Sequence, residues 1–357
     1  MDRIAELVGL AKEPLILAGN GVRLAGEQER FERLIESSGI PFVTTWTGAD
    51  LLPTDHPQNI GIVGMCGQPG ANKAVDAAEL LLVLGSHLSL PQIGNPPDSF
   101  APYTIKIVVD IDQNQLDNMV VDVQHEVCAS LADFFDQVTL RRHKNWAKEY
   151  KAENRMPMIG SYAFNDRMTR MLPEGTPIVI DGGGTALYTG FQSSYIKRGT
   201  RLICSSSMSA MGSGLPEAIG ACLASGRRMT TCLIGDGSLM LNMQELQTIA
   251  THNLPIKIFV IENGGYLAIR HTQKQFQEGR YFGTQPPDLE FPRAARIADL
   301  FDIPAVDINW DRTLPEWILS SDGPTMCVVH CPEDQQMVRQ KFIDGKPQPL
   351  TDMEIPA

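Results

Sequence analysis

The chain has 357 residues, more than one ordinary hydrophobic core organises, so two domains are expected. Apolar residues make up 43% and charged residues 20%, with 31 Gly and 24 Pro spread along the chain, which excludes a disordered, collagenous or coiled-coil protein. A formal charge of −12 argues against nucleic acid or an anionic membrane as the main partner, and no apolar run nears the ~20 residues of a membrane span.

Met1-Asp2-Arg3 opens an amphipathic stretch rather than a signal peptide. The seven cysteines, several inside apolar runs and none in a C-x-x-C pair, read as buried thiols of a reducing compartment, so a cytoplasmic protein is expected. The N-terminal half alternates apolar runs at 14–19, 40–45, 80–85 and 105–111 with helical patterns at 27–37 and 72–78. Runs this continuously apolar predict strands of a parallel sheet covered on both faces. After a polar stretch at 141–155, a second series places strands at 177–181, 201–204, 230–236, 255–263, 303–308 and 324–330. The expected fold is α/β, with two consecutive doubly wound parallel-sheet domains over 1–155 and 156–335 and an extended C-terminal tail over 336–357.

Three loops carry candidate chemistry. Gly19-Asn20-Gly21 ends the first strand, but Leu24 stands where a dinucleotide fingerprint needs its third glycine, so a tight turn and a nucleotide loop both stay open. Asp181-Gly182-Gly183-Gly184-Thr185 precedes a helix expected over 186–193, where backbone N–H groups suit an anion. At Gly235-Asp236-Gly237-Ser238 a strand stops, and a helix bearing Met243, Leu246, Ile249 and Ala250 follows, with Asn242 as its expected N-cap. The next strand ends in Glu262-Asn263-Gly264-Gly265. Parallel strands joined by a crossover helix end on the same side of a sheet, which should bring Asp236 and Asn263 together. A carboxylate, an amide oxygen and backbone carbonyls suit a hard cation such as Mg²⁺ that shares its shell with phosphate.

The stretch GDGSLMLNMQELQTIATHNLPIKIFVIENGG, in which Asn263 follows Asp236 by 27 positions, resembles the thiamine-diphosphate motif. CSSSMSAMGSGLPEAIGACLA upstream, with EPLILAGNGVRLAG, IPFVTTWTGADLLP and ELLLVLGSHL in the N-terminal half, is similar to acetohydroxyacid synthases, and the resemblance spans 5–335. It implies that Asp236, Asn263 and the Gly265 carbonyl coordinate Mg²⁺, while Gly183, Gly184, Thr185, Gly237 and Ser238 contact the diphosphate. Gly235, Tyr266 and Leu267 join the same cofactor site, and Met211 lies under the cofactor and supports its bent shape. A 2-oxo acid is the implied substrate, for decarboxylation or carboligation, and Arg270, His271 and Gln273 are candidate substrate contacts. FAD binding by the central domain stays open.

The departures are specific. Glu262 replaces the first Asn of the motif, Gly183-Gly184-Thr185 replaces a Gly-Gln-His segment, and the Tyr266–Gln273 stretch looks more like thiamine-diphosphate enzymes of surface-polysaccharide pathways. Enzymes of this layout carry a pyrimidine-binding domain whose glutamate protonates the cofactor. The chain begins at the linker helix before the central domain, so a separate chain or a longer gene product is expected to supply that glutamate, and the polypeptide alone is expected to be inactive and to self-associate or bind such a partner. A cofactor- or partner-binding homologue without turnover and an NAD-linked oxidoreductase are the rival readings.

Other residues carry blander expectations. Cys327, His330 and Cys331 read as strand residues with buried thiols, Glu245 as a member of a structural ion pair, and His330 has no visible partner. His87 and the 61–70 segment around Cys66 are candidate nucleotide contacts of the first domain.

Overall fold

The structure, a computed structural model, describes residues 1–154, 156–205, 208–336 and 338. Apart from Gln336 and Val338, the expected C-terminal tail lies outside the described residues. The chain divides into two compact units, Met1–Arg155 together with Val338–Ala357, and Met156–Met337.

The first unit is a six-stranded, all-parallel sheet in the order β3-β2-β1-β4-β5-β6. The strands are β1 (Pro14–Ala18), β2 (Phe42–Thr44), β3 (Asn59–Ile62), β4 (Leu80–Leu84), β5 (Ile105–Asp110) and β6 (His125–Cys128). Alternate residues of one strand feed different cores: Ile16 and Leu82 pack with Phe31, Ile35 and Phe134 on one face. Leu15, Leu17, Leu81 and Val83 pack with Ala71, Ala74 and Val75 on the other. That two-sided burial is why these strands read as continuous apolar runs. The sequence runs point to four of these strands; β3 and β6 are additional, and they are the two edges of the sheet. β6 alternates half-buried and exposed residues, so no apolar run marks it.

The second unit repeats the architecture with the order β11-β12-β10-β9-β7-β8, again all parallel. Its strands are β7 (Ile178–Ile180), β8 (Leu202–Ile203), β9 (Thr230–Gly235), β10 (Ile256–Glu262), β11 (Ala305–Asn309) and β12 (Thr325–His330). One core gathers Val179, Cys232, Ile234, Ile258, Val260 and Val328. On the opposite face Phe259 meets Phe164 of the Gly160–Met171 helix, ring centroids 5.8 Å apart. The expected class, two doubly wound parallel-sheet domains, is the observed one. No helix among the described residues is long and apolar enough to cross a membrane.

Two local expectations are corrected. The helix after the glycine turn begins at Gly184 rather than Ala186, with Gly183 as its N-cap. Directly after β9 ends at Gly235 the chain makes a one-turn helix, Asp236–Leu239, and a second helix starts only at Glu245. Asn242 is not its N-cap: the Asn242 amide donates to the Gly212 carbonyl at 3.0 Å, a tertiary bond that outcompetes the local one.

Candidate functional site

The carboxyl ends of β7, β9 and β10 lie side by side, and each delivers one polar residue. Gly235 is paired with Ile261, so Asp236 and Asn263 follow from adjacent strand ends. Asp236 is 4% exposed and Asn263 2%. One Asp236 oxygen accepts the Gly237 N–H at 2.7 Å, and the other accepts the N–H groups of Asn263 at 3.1 Å and Gly265 at 2.9 Å. Burial lifts this carboxyl to about 6; the three backbone donors oppose the rise and the nearby Glu262 adds to it.

The donor set fits a hard cation. The Asn263 side-chain oxygen is buried with no hydrogen-bond partner, while its amide nitrogen donates to the Thr185 hydroxyl at 3.4 Å. A buried acceptor without a donor costs about 1–3 kcal/mol, and a coordinated cation removes that penalty. Among the described residues no group of three His, Cys, Asp or Glu side chains is placed to hold a metal; the set here is one carboxylate, one amide and backbone carbonyl.

A single cleft joins these ends. Its lining includes Gly183, Gly184, Thr185, Met211, Gly235, Asp236, Gly237, Ser238, Gly265, Tyr266 and Leu267, so the structure gathers almost every residue the sequence singled out. Ala186, Ala268 and Ile269 also line it and carry no sequence signal beyond being apolar. The ten-residue helix Gly184–Ser193 points its first turn at the cleft, where free N–H groups and the helix dipole favour an anion. Gly237 is required by packing: a β-carbon there would stand 2.5 Å from the Tyr266 ring, which is itself held edge-on against Phe291 at 5.1 Å.

Asp181 was missed as a site residue, although it opens the glycine turn. Fully buried, it accepts the N–H groups of Gly183, Gly212 and Gly214 and a bond from the Ser238 side chain. Burial raises its pKa, and the same hydrogen bonds pull it back.

The three candidate substrate contacts lie on the helix Leu267–Phe276, but two of them serve the loops. Arg270 is buried and donates to the carbonyls of Asn263, Gly264, Thr284 and Glu333. Gln273 is buried and bonds the Phe282 backbone and the Thr284 hydroxyl. Both side chains thus brace the loops around the cleft through these bonds. His271 is half-buried on the same helix.

Glu262 turns away from the cleft. Its carboxylate takes His330 Nδ1 at 2.8 Å and the Ala294 N–H at 3.3 Å, and His330 Nε2 meets Asp307 at 2.9 Å. His330 therefore has two partners that no spacing in the sequence revealed. Cys327 and Cys331 are free and buried, their thiols pushed up to about 12 by desolvation. Glu245 accepts the Thr248 hydroxyl at 3.3 Å within its own helix, and among the described residues it has no ion-pair partner.

In the first unit, Gly19 and Gly21 meet a neighbouring turn. A β-carbon on Gly21 would lie 2.6 Å from the Gly85 Cα, so close backbone approach explains these glycines. The 61–70 loop is closed by paired bonds between Gly64 and the Asn72 side chain at 2.9 and 3.1 Å, and His87 is exposed.

Residues 1–138 match the family model described as the thiamine pyrophosphate enzyme central domain, and residues 182–329 match that of the C-terminal TPP binding domain. The acetolactate synthase isozyme 1 large subunit of Escherichia coli K12 is 28% identical over 93% of this chain and 61% of its own length. The acetolactate synthase of Arthrospira platensis is 29% identical over 94% of this chain and 61% of its own. The large subunit from Lactococcus lactis is 28% identical over 92% and 60%. The chain thus spans about three fifths of the length of these relatives. The buried Asp236–Asn263 pair, the helix N-terminus beside it and the two matched models agree, and the chain belongs to the thiamine pyrophosphate enzymes.

Proposed function

We propose that the second unit holds thiamine diphosphate through Mg²⁺ and that the polypeptide serves a 2-oxo acid decarboxylase or carboligase of the acetolactate synthase type. In this reading residues 1–155 are the central domain and 156–335 the diphosphate-binding domain. The observation that carries it is the unpartnered, buried side-chain oxygen of Asn263, whose backbone N–H is bonded to Asp236, a residue that lines a cleft also receiving a helix N-terminus.

Asp236, Asn263 and the Gly265 carbonyl would hold the cation, and Gly183, Gly184, Thr185, Gly237 and Ser238 the diphosphate oxygens. Gly235, Tyr266 and Leu267 would shape the wall, and Met211 would support the cofactor by packing. The bound cofactor supplies an electron sink for cleavage of the bond next to a 2-oxo group. The chain's residues supply position: the amide donors neutralise phosphate charge, the apolar wall of Met211, Ala186 and Ala268 excludes water, and buried Asp236 fixes the loop that carries both Asn263 and Gly265. Acid–base work on the aminopyrimidine is assigned to a pyrimidine-binding domain on a partner chain, on another copy or on a further part of the same polypeptide. We place the enzyme in the cytoplasm.

Calorimetric titration with thiamine diphosphate tests the reading. Binding should require Mg²⁺ and vanish in Asp236→Ala. Unchanged affinity in that variant removes the metal site. CO₂ release from several 2-oxo acids, with and without an added pyrimidine-binding domain, then separates an enzyme from a homologue that only holds the cofactor.

A further inference from the structure

Besides the 265–269 segment, three segments far apart in the chain line the cleft: the glycine turn that carries Gly183 to Thr185, the turn that carries Met211, and the 235–238 segment at the end of β9. Nothing in their local sequence sets the distance between them. Asp181 lies at the centre of all three without lining the cleft. Its Oδ2 accepts the Gly183 N–H at 2.8 Å, and the Ser238 side chain also bonds to its carboxylate. Its Oδ1 accepts the N–H groups of Gly212 at 2.8 Å and Gly214 at 2.9 Å. The Asp181 backbone is fixed in turn, because its own N–H donates to the Leu233 carbonyl of β9 at 2.9 Å. The glycines let the segments close on it: a β-carbon on Gly214 would stand 3.0 Å from the Asp181 Cβ, and one on Gly182 would stand 2.6 Å from the Ala210 nitrogen.

A carboxylate has acceptor sites for all four donors and can satisfy every one at once. A buried carboxylate that existed merely to fill space would be replaced at lower cost by an apolar residue. We infer that Asp181 is the positioning residue of the cleft, one buried carboxylate that ties the Gly183 turn, the Met211 turn and the Ser238 loop into a single unit. It touches no ligand itself; it sets where the helix N-terminus, Met211 and Ser238 stand relative to one another. The inference rests on the cleft being the cofactor site only for its consequence in binding. The tie itself is a property of the chain.

The test has two arms. In the chain without cofactor, the Gly183, Gly212 and Gly214 amides should exchange hydrogen with one common opening, and Asp181→Asn should speed exchange in all three segments by about tenfold or more while β9 and β10 stay protected. Independent opening of the three amides in the unaltered chain overturns the inference even if the variant fails to fold. So does loosening confined to one segment. In the second arm, Asp181→Asn should bind Mg²⁺-thiamine diphosphate about tenfold more weakly or worse, whereas Ile180→Ala, a buried neighbour in β7, should lower the melting temperature and leave affinity within about threefold. Equal loss in both variants would reduce Asp181 to general stability. Failure of the unaltered chain to bind the cofactor would sink the cofactor reading and leave the exchange arm to decide on Asp181.

Discussion

Burial sets the chemistry of single residues in the cleft, and Asp236 is where this is measurable. Its folded-state pKa is raised from 3.8 to about 6, the reverse of the usual carboxylate case. The folded chain then holds the proton more tightly than the unfolded one, so stability is lost as pH rises from about 4 through about 6, by on the order of 3 kcal/mol. Denaturation of the cofactor-free chain at a series of pH values should show that fall, and Asp236→Asn should flatten it. Identical pH profiles for the two proteins would mean the carboxylate is not the source. Added Mg²⁺ should recover stability in the unaltered chain at pH 7, since a cation favours the ionised form. In the proposed function Met211, which lines the cleft, acts by shape rather than charge. Met211→Ala should slow deuterium exchange at the cofactor's C2 in the assembled enzyme by about tenfold or more while changing affinity less than about threefold, because the proposed diphosphate contacts lie on other residues. Equal losses would count against the packing role.

At the scale of elements, two tertiary bonds replace what local sequence usually supplies. The helix Pro69–Ala77 has no side-chain cap from its own N-terminus. Asn154, 84 residues away, accepts the Gly70 N–H at 2.8 Å and the Ala71 N–H at 3.3 Å and donates to the Ile60 carbonyl. Asn154→Ala should therefore destabilise the first unit by about 1–2 kcal/mol in a thermal melt, and Asn154→Asp should recover part of it because the acceptor returns. A silent Asn154→Ala would show that solvent caps the helix as well. The ends of β10, β11 and β12 are linked by Glu262, His330 and Asp307. This arrangement accounts for a glutamate next to the proposed metal pair: its charge is spent on His330 and the Ala294 amide. Glu262→Gln should leave Mg²⁺-dependent cofactor affinity within about threefold, as expected for a half-exposed pair. A loss of tenfold or more would put Glu262 in the metal site after all.

For the whole molecule, each unit has its own sheet with its own apolar packing. Fragments spanning 1–154 and 156–336 should each melt cooperatively by calorimetry, since neither sheet borrows a strand from the other. A fragment that is unfolded or aggregated would show that its core depends on the other unit. The self-association expected of the chain is open to sedimentation measurements, and it is on that assembly that turnover should be assayed.

Fold class was legible because strands buried on both faces are apolar at nearly every position, and β1, β4, β5, β9, β10 and β12 announce themselves by such runs even though Lys106 and Lys257 interrupt two of them. The edge strands β3 and β6 did not: in β6 buried and exposed residues alternate, as an edge that buries one face allows, and in β3, although mostly buried, Asn59 and Gly61 interrupt the apolar run. Asp236 and Asn263 could be paired from their spacing because parallel strands joined by a crossover end on one side of a sheet. Chain order carried no such information for Asp181 with Gly212, for Arg270 with Thr284 and Glu333, or for Glu262 with His330 and Asp307. Those partners are 14 to 68 positions apart. Burial decides which polar atoms must find a partner, and the packed chain decides which partner is within reach.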